Sequence, residues 1–363
     1  MNPPLKWSTT TAVWAEVNRR REYPFSNNSR TIERTCLRQS GVSVSISSSR
    51  PARSLLNASH SQYSLLKGRL AKCSVAFVVP AYNEGPGIVC TLESLYTEMA
   101  SVGLESSPII VSDSSDTVAT VDASVEWAQH QGASVVIDRC ERRRSLKEAL
   151  NVAFDRPEAQ VDIVVTTVSD VTHRGGALAA LLDQLVGPSH CAVAVGGMRP
   201  DPAYRALRYR AAAWQSCAVY RSAVLAGPRA VRAEGAFWGA RHEFLRQFRY
   251  PLGEGSPVDD VELARAVIRQ GVAFANVPDA VVYKVPAGSF RDFVAMTRRS
   301  HEAIDGTPPR NAAALRATAL EAAVDPLGFA CYVVWRVIGR VKSGSTGSVT
   351  TSDLWDPQAS TKR

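Results

Sequence analysis

Three acidic positions and one basic turn stand where this sequence has the means to do chemistry. Asp113 closes an apolar run at 108–112. A carboxylate at the end of a strand accepts a hydrogen bond from a base N–H or a ribose hydroxyl. Ser115 or Asp116, just after it, suits the cap of the next helix. Asp170 follows a second apolar run at 163–168, where a carboxylate is placed to hold a divalent metal against a diphosphate. His173 beside it reads either as a second ligand or as a loop residue. Asp259 and Asp260 open a helical pattern, a position where acids are favoured by the helix dipole. Arg142, Arg143 and Arg144 precede Ser145 and Glu148, which fit a capping box. Guanidinium groups ahead of a helix N-terminus suit a pyrophosphate, and a solvated basic turn is the plain alternative for at least two of them.

The elements that must position these groups follow from the period of the apolar residues. Runs at 74–80, 108–112, 134–138, 163–168 and 192–198 read as strands, and 88–100, 118–131, 145–154 and 177–185 as helices. Alternation at this spacing predicts right-handed βαβ units, a mostly parallel sheet, and a binding edge at the carboxyl ends of its strands. The first strand opens through VVPAYNE at 78–84 into Gly85-Pro86-Gly87 and a helix. That arrangement is either a nucleotide or phosphate site or a structurally required turn.

Composition narrows the class. The chain has 363 residues, 45% of them hydrophobic and 21% charged, which excludes collagen-like, coiled-coil and wholly disordered chains. Seven scattered cysteines without a C-x-x-C pair fit reduced thiols and not a disulfide framework or a zinc site. The net charge of +8 resides in residues 1–70, which carry 11 basic and three acidic side chains, so the rest is neutral. That segment holds 13 serines and no sustained apolar period, and is expected to be a disordered basic tail. It resembles a transit peptide, and an over-long gene start looks the same. With the excess charge confined there, the body is not expected to bind nucleic acid.

Taken in order, VVPAYNE, the Asp-ended second strand, the K-x-A-L-N helix at 147–151 and the strand-end Asp170 resemble the family 2 glycosyltransferases of the GT-A fold. EGAFWGAR at 234–241 resembles the family's glycine-aromatic acceptor segment, and VDDVELAR at 258–265 its E-D-x-E-L-x-x-R helix. The resemblance spans residues 74–302 and implies an α/β fold whose mostly parallel sheet is flanked by helices. It implies a hexosyltransferase-type enzyme that moves one sugar, with inversion, from a nucleoside diphosphate sugar to a hydroxyl acceptor. By that resemblance Pro80, Tyr82, Glu84 and Asp113 hold the nucleotide with Lys147, and Asp170 holds Mg²⁺ or Mn²⁺. Asp260 deprotonates the acceptor, and Trp238, Asp259, Arg298 and Arg299 contact acceptor or diphosphate.

The sequence departs from the family pattern in three places. The D-x-D motif reads Val168-Ser169-Asp170 and lacks its first acid, and Lys147 is displaced by one place. The Q-x-x-R-W signature of processive synthases is absent, with Arg298-Arg299-Ser300-His301 where it is expected, so single-sugar transfer is favoured. A non-catalytic nucleotide-binding relative and a binding protein acting through its basic tail are the rival readings.

The expected organisation is a tail at 1–70, a GT-A domain at 71–305, a helical segment at 306–342 and a flexible end at 343–363. Within the third part, 327–341 is apolar but carries Arg336 and Arg340, and is too short for a bilayer span. It reads as a packed helix, or as an interfacial helix with Trp335 and the arginines at headgroup level. A cytoplasmic enzyme, peripheral at a membrane if this helix docks, with a lipid-linked acceptor, agrees with the second reading.

Overall fold

The computed structural model describes residues 63–228, 231, 235–252, 259–302 and 312–343, with the side chains of 298–302 and 339–343 outside that description. Eight strands form one sheet in the order β3-β2-β1-β4-β7-β6-β8-β5. They are β1 (Val75–Ala81), β2 (Ile109–Asp113), β3 (Val135–Arg139), β4 (Ile163–Thr167), β5 (Val171–His173), β6 (Val193–Pro200), β7 (Phe237–Arg241) and β8 (Phe274–Lys284). β3, β2, β1 and β4 run parallel, as the βαβ pattern requires. β7 is antiparallel to β4 and β6, β8 is parallel to β6, and β5 closes the far edge antiparallel to β8. Two reversals leave β6 and β8 pointing the same way as β1 and β4. Their carboxyl ends, and the amino end of β7, therefore share one edge.

The central strands are buried on both faces, which is why they read as continuous apolar runs. Along β1, Val75, Phe77 and Val79 face one layer and Val78 faces the other. The first layer is built by Leu92, Leu95 and Met99 of α1 (Ile88–Val102) and by Leu178, Leu181, Leu182 and Leu185 of α4 (Ala177–Val186). The opposite layer takes Leu150 and Phe154 of α3 (Leu146–Asp155), with Leu263 and Val267 of a later helix. α2 (Ala119–Gln131) covers the sheet beside β3. The exposed N–H groups at the start of α4 are met by a buried carboxylate: Gly176 N–H donates to Glu98 Oε1 and Leu178 N–H to Oε2, both at 3.0 Å.

The remaining helices are α5 (Leu207–Ala226), α6 (His242–Gln247), α7 (Asp259–Gln270), α8 (Phe290–Glu302), α9 (Ala312–Val324) and α10 (Pro326–Ser343). α9 and α10 pack on α5. Trp214 packs at a tilt against Phe329 and Tyr332, and Arg221 Nε lies 2.6 Å from the buried Glu321 Oε2. Trp335 packs edge-on against Phe290 and Phe293, so its ring belongs to this helical layer and not to an outer face. No single described helix is long and apolar enough to cross a membrane, and α9 and the first part of α10 meet at a bend of 119°.

The tail boundary moves. Residues 63–70 are helical, and Leu66 and Leu70, one turn apart, are buried in the main core. They belong to the body, and residues 1–62 of the expected tail lie outside the described residues. The six described cysteines are free thiols, as expected.

Candidate active site

The turn after β1 is stitched to the turn after β2. Asn83 takes a left-handed φ of 56°, its N–H donates to Ser115 Oγ at 2.7 Å, and its Nδ2 donates to Asp116 Oδ2 at 2.6 Å. Tyr82 Oη donates to the same carboxylate at 3.2 Å, and Gly85 N–H donates to Thr120 Oγ1 at 2.9 Å. Neither Ser115 nor Asp116 caps the next helix. The N-cap of α2 is Val118, without a side-chain bond, because both residues are already committed to this junction. Asp113 ends β2 opposite Ala81, fully buried, and its Oδ1 accepts from the Ser115 hydroxyl and N–H. Pro80 is buried one residue earlier in β1, whereas Tyr82 and Glu84 are half-exposed.

The three arginines divide. Ser145 caps the helix, with Glu148 N–H donating to Ser145 Oγ at 3.2 Å, while the Glu148 carboxylate turns to Arg142. Arg142 pairs with Glu148, and Arg144 pairs with Asp138 in a largely buried bond. Arg143 lies over the Tyr82 ring, 4.6 Å from its centroid, which places its guanidinium beside the turn after β1.

From β4 the chain crosses the sheet edge to reach β5. Thr91 Oγ1 holds this crossing from behind through bonds to the carbonyls of Ser169 and Val171, at 2.8 and 2.6 Å. In β5, Val171 pairs with Lys284 at the end of β8. That register brings Lys284 Nζ to 2.8 Å from Asp170 Oδ2.

Past the amino end of β7, Gly235 lies so close to α7 that a Cβ there would sit 2.5 Å from Asp259 Oδ2. Asp259 is buried, and Oδ2 has no hydrogen-bond partner among the described residues. Burial raises its pKa, against its own and the Asp260 backbone N–H groups and the charges of Lys147 and Lys284. Burial lowers the pKa of Lys147, opposed by Glu262 and Asp259. Tyr250 is pushed well up by burial and by Asp259 and Asp260. Asp170, Lys284, Asp259, Asp260 and Lys147 thus share one electrostatic neighbourhood. Lys147 reaches it from α3, and its charge faces the acids of α7.

Not every expected residue is at this edge. Trp238 is fully buried in β7, with its ring edge-on to Phe154 on the α3 side. It is a core residue and not an acceptor contact, because the alternation of the strand turns it inward. Arg298 and Arg299 lie on α8, and their side chains, with Glu234, fall outside the described residues. Lys284 and Tyr250 were missed. The run 274–284 contains Pro278 and was not read as a strand, and a strand reading would have put Lys284 at its carboxyl end.

The divalent metal implied at Asp170 does not fit the donors present. Beside a nucleotide, Mg²⁺ and Mn²⁺ take one or two protein carboxylates and draw their remaining oxygens from the diphosphate and water, so the protein must supply at least one carboxylate not already paired with a cation. The position two before Asp170 is Val168, and the carboxylate is in an ion pair with Lys284. His173 is engaged at both ring nitrogens, with Ser94 Oγ at 3.0 Å and Thr167 Oγ1 at 3.1 Å. No cluster of three or more His, Cys, Asp or Glu among the described residues is placed to hold a metal.

Burial holds His173 neutral, with its pKa lowered to about 3. Its contribution to stability is complete above the unfolded value of 6.5 and is lost as pH falls toward 3. Urea unfolding at pH 7 and pH 5 is expected to show a loss of about 2 kcal/mol from this group. His173→Gln should lack that part of the pH dependence, and an equal loss in the variant would contradict it.

The sequence profile described as glycosyl transferase family 2 matches residues 76–248. This segment is a family 2 glycosyltransferase domain. The matched segment runs from β1 to β7, β5 included, and contains the junction of the β1 and β2 turns and Asp170. No curated protein matches the chain. Among solved structures, a mannosyltransferase from Pyrobaculum calidifontis in complex with GDP-Man and Mn²⁺ is 21% identical. The match covers 84% of this chain and 88% of that one, with a TM-score of 0.48. Glucosyl-3-phosphoglycerate synthase from Mycobacterium tuberculosis, in complex with Mn²⁺, UDP and glucosyl-3-phosphoglycerate, is 22% identical, covering 65% and 80%, with a TM-score of 0.44.

Proposed function

We propose that this family 2 domain transfers a single hexose from a nucleoside diphosphate sugar to a hydroxyl acceptor with inversion. The observation that carries the reading is the gathering of Asp113, Asp170 and the Asp259-Asp260 helix start along one carboxyl edge of a family 2 sheet. In this reading the β1–β2 turn holds the nucleoside, with Asp113 beneath it and Tyr82 and Arg143 beside it. Asp260, half-buried on the first turn of α7, takes the acceptor proton as the acceptor oxygen attacks the anomeric carbon. The bond from that carbon to the diphosphate oxygen breaks on the opposite side, and its electron pair leaves with the diphosphate.

A lipid-linked acceptor is supported by the outer side of α10, where Leu327, Val334 and Val337 are each at least 50% exposed. The test is release of nucleoside diphosphate from UDP-, GDP-, dTDP- and ADP-sugars by the purified chain, with free sugars or with a polyprenol, which presents a lipid hydroxyl, in anionic vesicles. Turnover of one donor, stimulated by those vesicles and accompanied by co-sedimentation, is expected. Turnover of none would sink the enzymatic reading, and turnover indifferent to vesicles would sink the lipid acceptor.

A further inference from the structure

We propose that Lys284 is the cation that meets the donor diphosphate, and that nucleoside diphosphate binding by this chain does not depend on a divalent metal; this rests on the donor reading above. The register of β5 on β8 places the Lys284 ammonium at the carboxyl edge, 2.8 Å from Asp170. The acid expected to anchor a metal is therefore already facing a positive charge. The same ammonium opposes the rise in pKa of Asp259, the buried neighbour of Asp260, so its charge is felt at both acidic positions. The side chains of Lys284 and Asp170 are 31% and 21% exposed, which leaves the pair reachable from the edge while Asp170 fixes its place.

The chemistry of the group suits the task. An ammonium has three donors, and one bond to Asp170 orients it without using its capacity for phosphate oxygens. When the anomeric C–O bond breaks, the leaving nucleoside diphosphate gains one negative charge. A cation held in place beforehand stabilises that charge without reorganisation. Asp170 is then a positioning residue for Lys284.

The test is calorimetric binding of UDP, GDP, ADP, CDP and dTDP, and of the matching nucleosides, to the full chain in EDTA and in Mn²⁺. In EDTA one nucleoside diphosphate should bind more tightly than its nucleoside, and Mn²⁺ should change that affinity by no more than about threefold. Lys284→Ala should lower the diphosphate's affinity by roughly tenfold to a hundredfold and leave the nucleoside's unchanged. Lys284→Arg should retain most of the difference, which separates lost charge from lost folding. Diphosphate binding that requires Mn²⁺, or that survives Lys284→Ala, overturns the proposal while leaving the donor reading intact. Failure of every nucleotide under both conditions removes the donor reading, and the proposal with it.

Discussion

Asp260→Asn is expected to lower turnover by roughly 10²–10⁴-fold while donor affinity stays as in the unmodified chain. The amide keeps the shape and hydrogen-bonding reach of the side chain but cannot accept the acceptor's proton. The neighbouring acid supplies the control. Asp259 is buried against Gly235, and its effect is exerted through Lys147, Lys284 and the start of α7. Asp259→Asn should therefore disturb nucleoside diphosphate affinity and thermal stability along with rate, whereas Asp260→Asn should alter rate alone. Steady-state kcat with calorimetric donor affinity separates the two. Full activity of Asp260→Asn, with activity lost in Asp259→Asn, would move the base to the buried position.

Trp238→Ala is expected to cost about 3–5 kcal/mol of stability, because it empties a large, fully buried site between β7 and α3. In a body of this size that lowers Tm by roughly 6–20 °C. Trp238→Phe keeps most of the ring contact with Phe154 and should leave KM for the acceptor unchanged. An altered acceptor KM in Trp238→Phe, without a change in melting, would return this residue to the acceptor site.

The parallel half of the sheet was legible because β1, β2 and β4 are buried on both faces and helices separate the successive strands. The expected strands at 74–80, 108–112 and 134–138 are each displaced by a single residue from Val75–Ala81, Ile109–Asp113 and Val135–Arg139. The half that completes the site was not. β7 spans five residues and includes Gly239, so it was read only as a motif, and its Trp was taken for a contact. β8 carries Pro278, tolerated where the pairing with β6 shifts between Val195 and Gly197. α5 has no single apolar stripe, because α9 and α10 pack on it as well as the sheet. Of the candidate site, the acids were visible as strand-end and helix-start carboxylates. Their partners were hidden, since the meeting of Lys284 with Asp170 depends on a pairing between strands more than a hundred residues apart.

That pairing rests on β5, a strand of three residues held by Thr91 at the carbonyls on either side of Asp170. The crossing at 168–170 is a turn between the two strands, so inserting or deleting one residue there would shift Asp170 against the Thr91 anchor and carry its carboxylate away from the ammonium. Val168 packs against the main core and Ser169 is buried, so the crossing is constrained in its side chains as well as in its length.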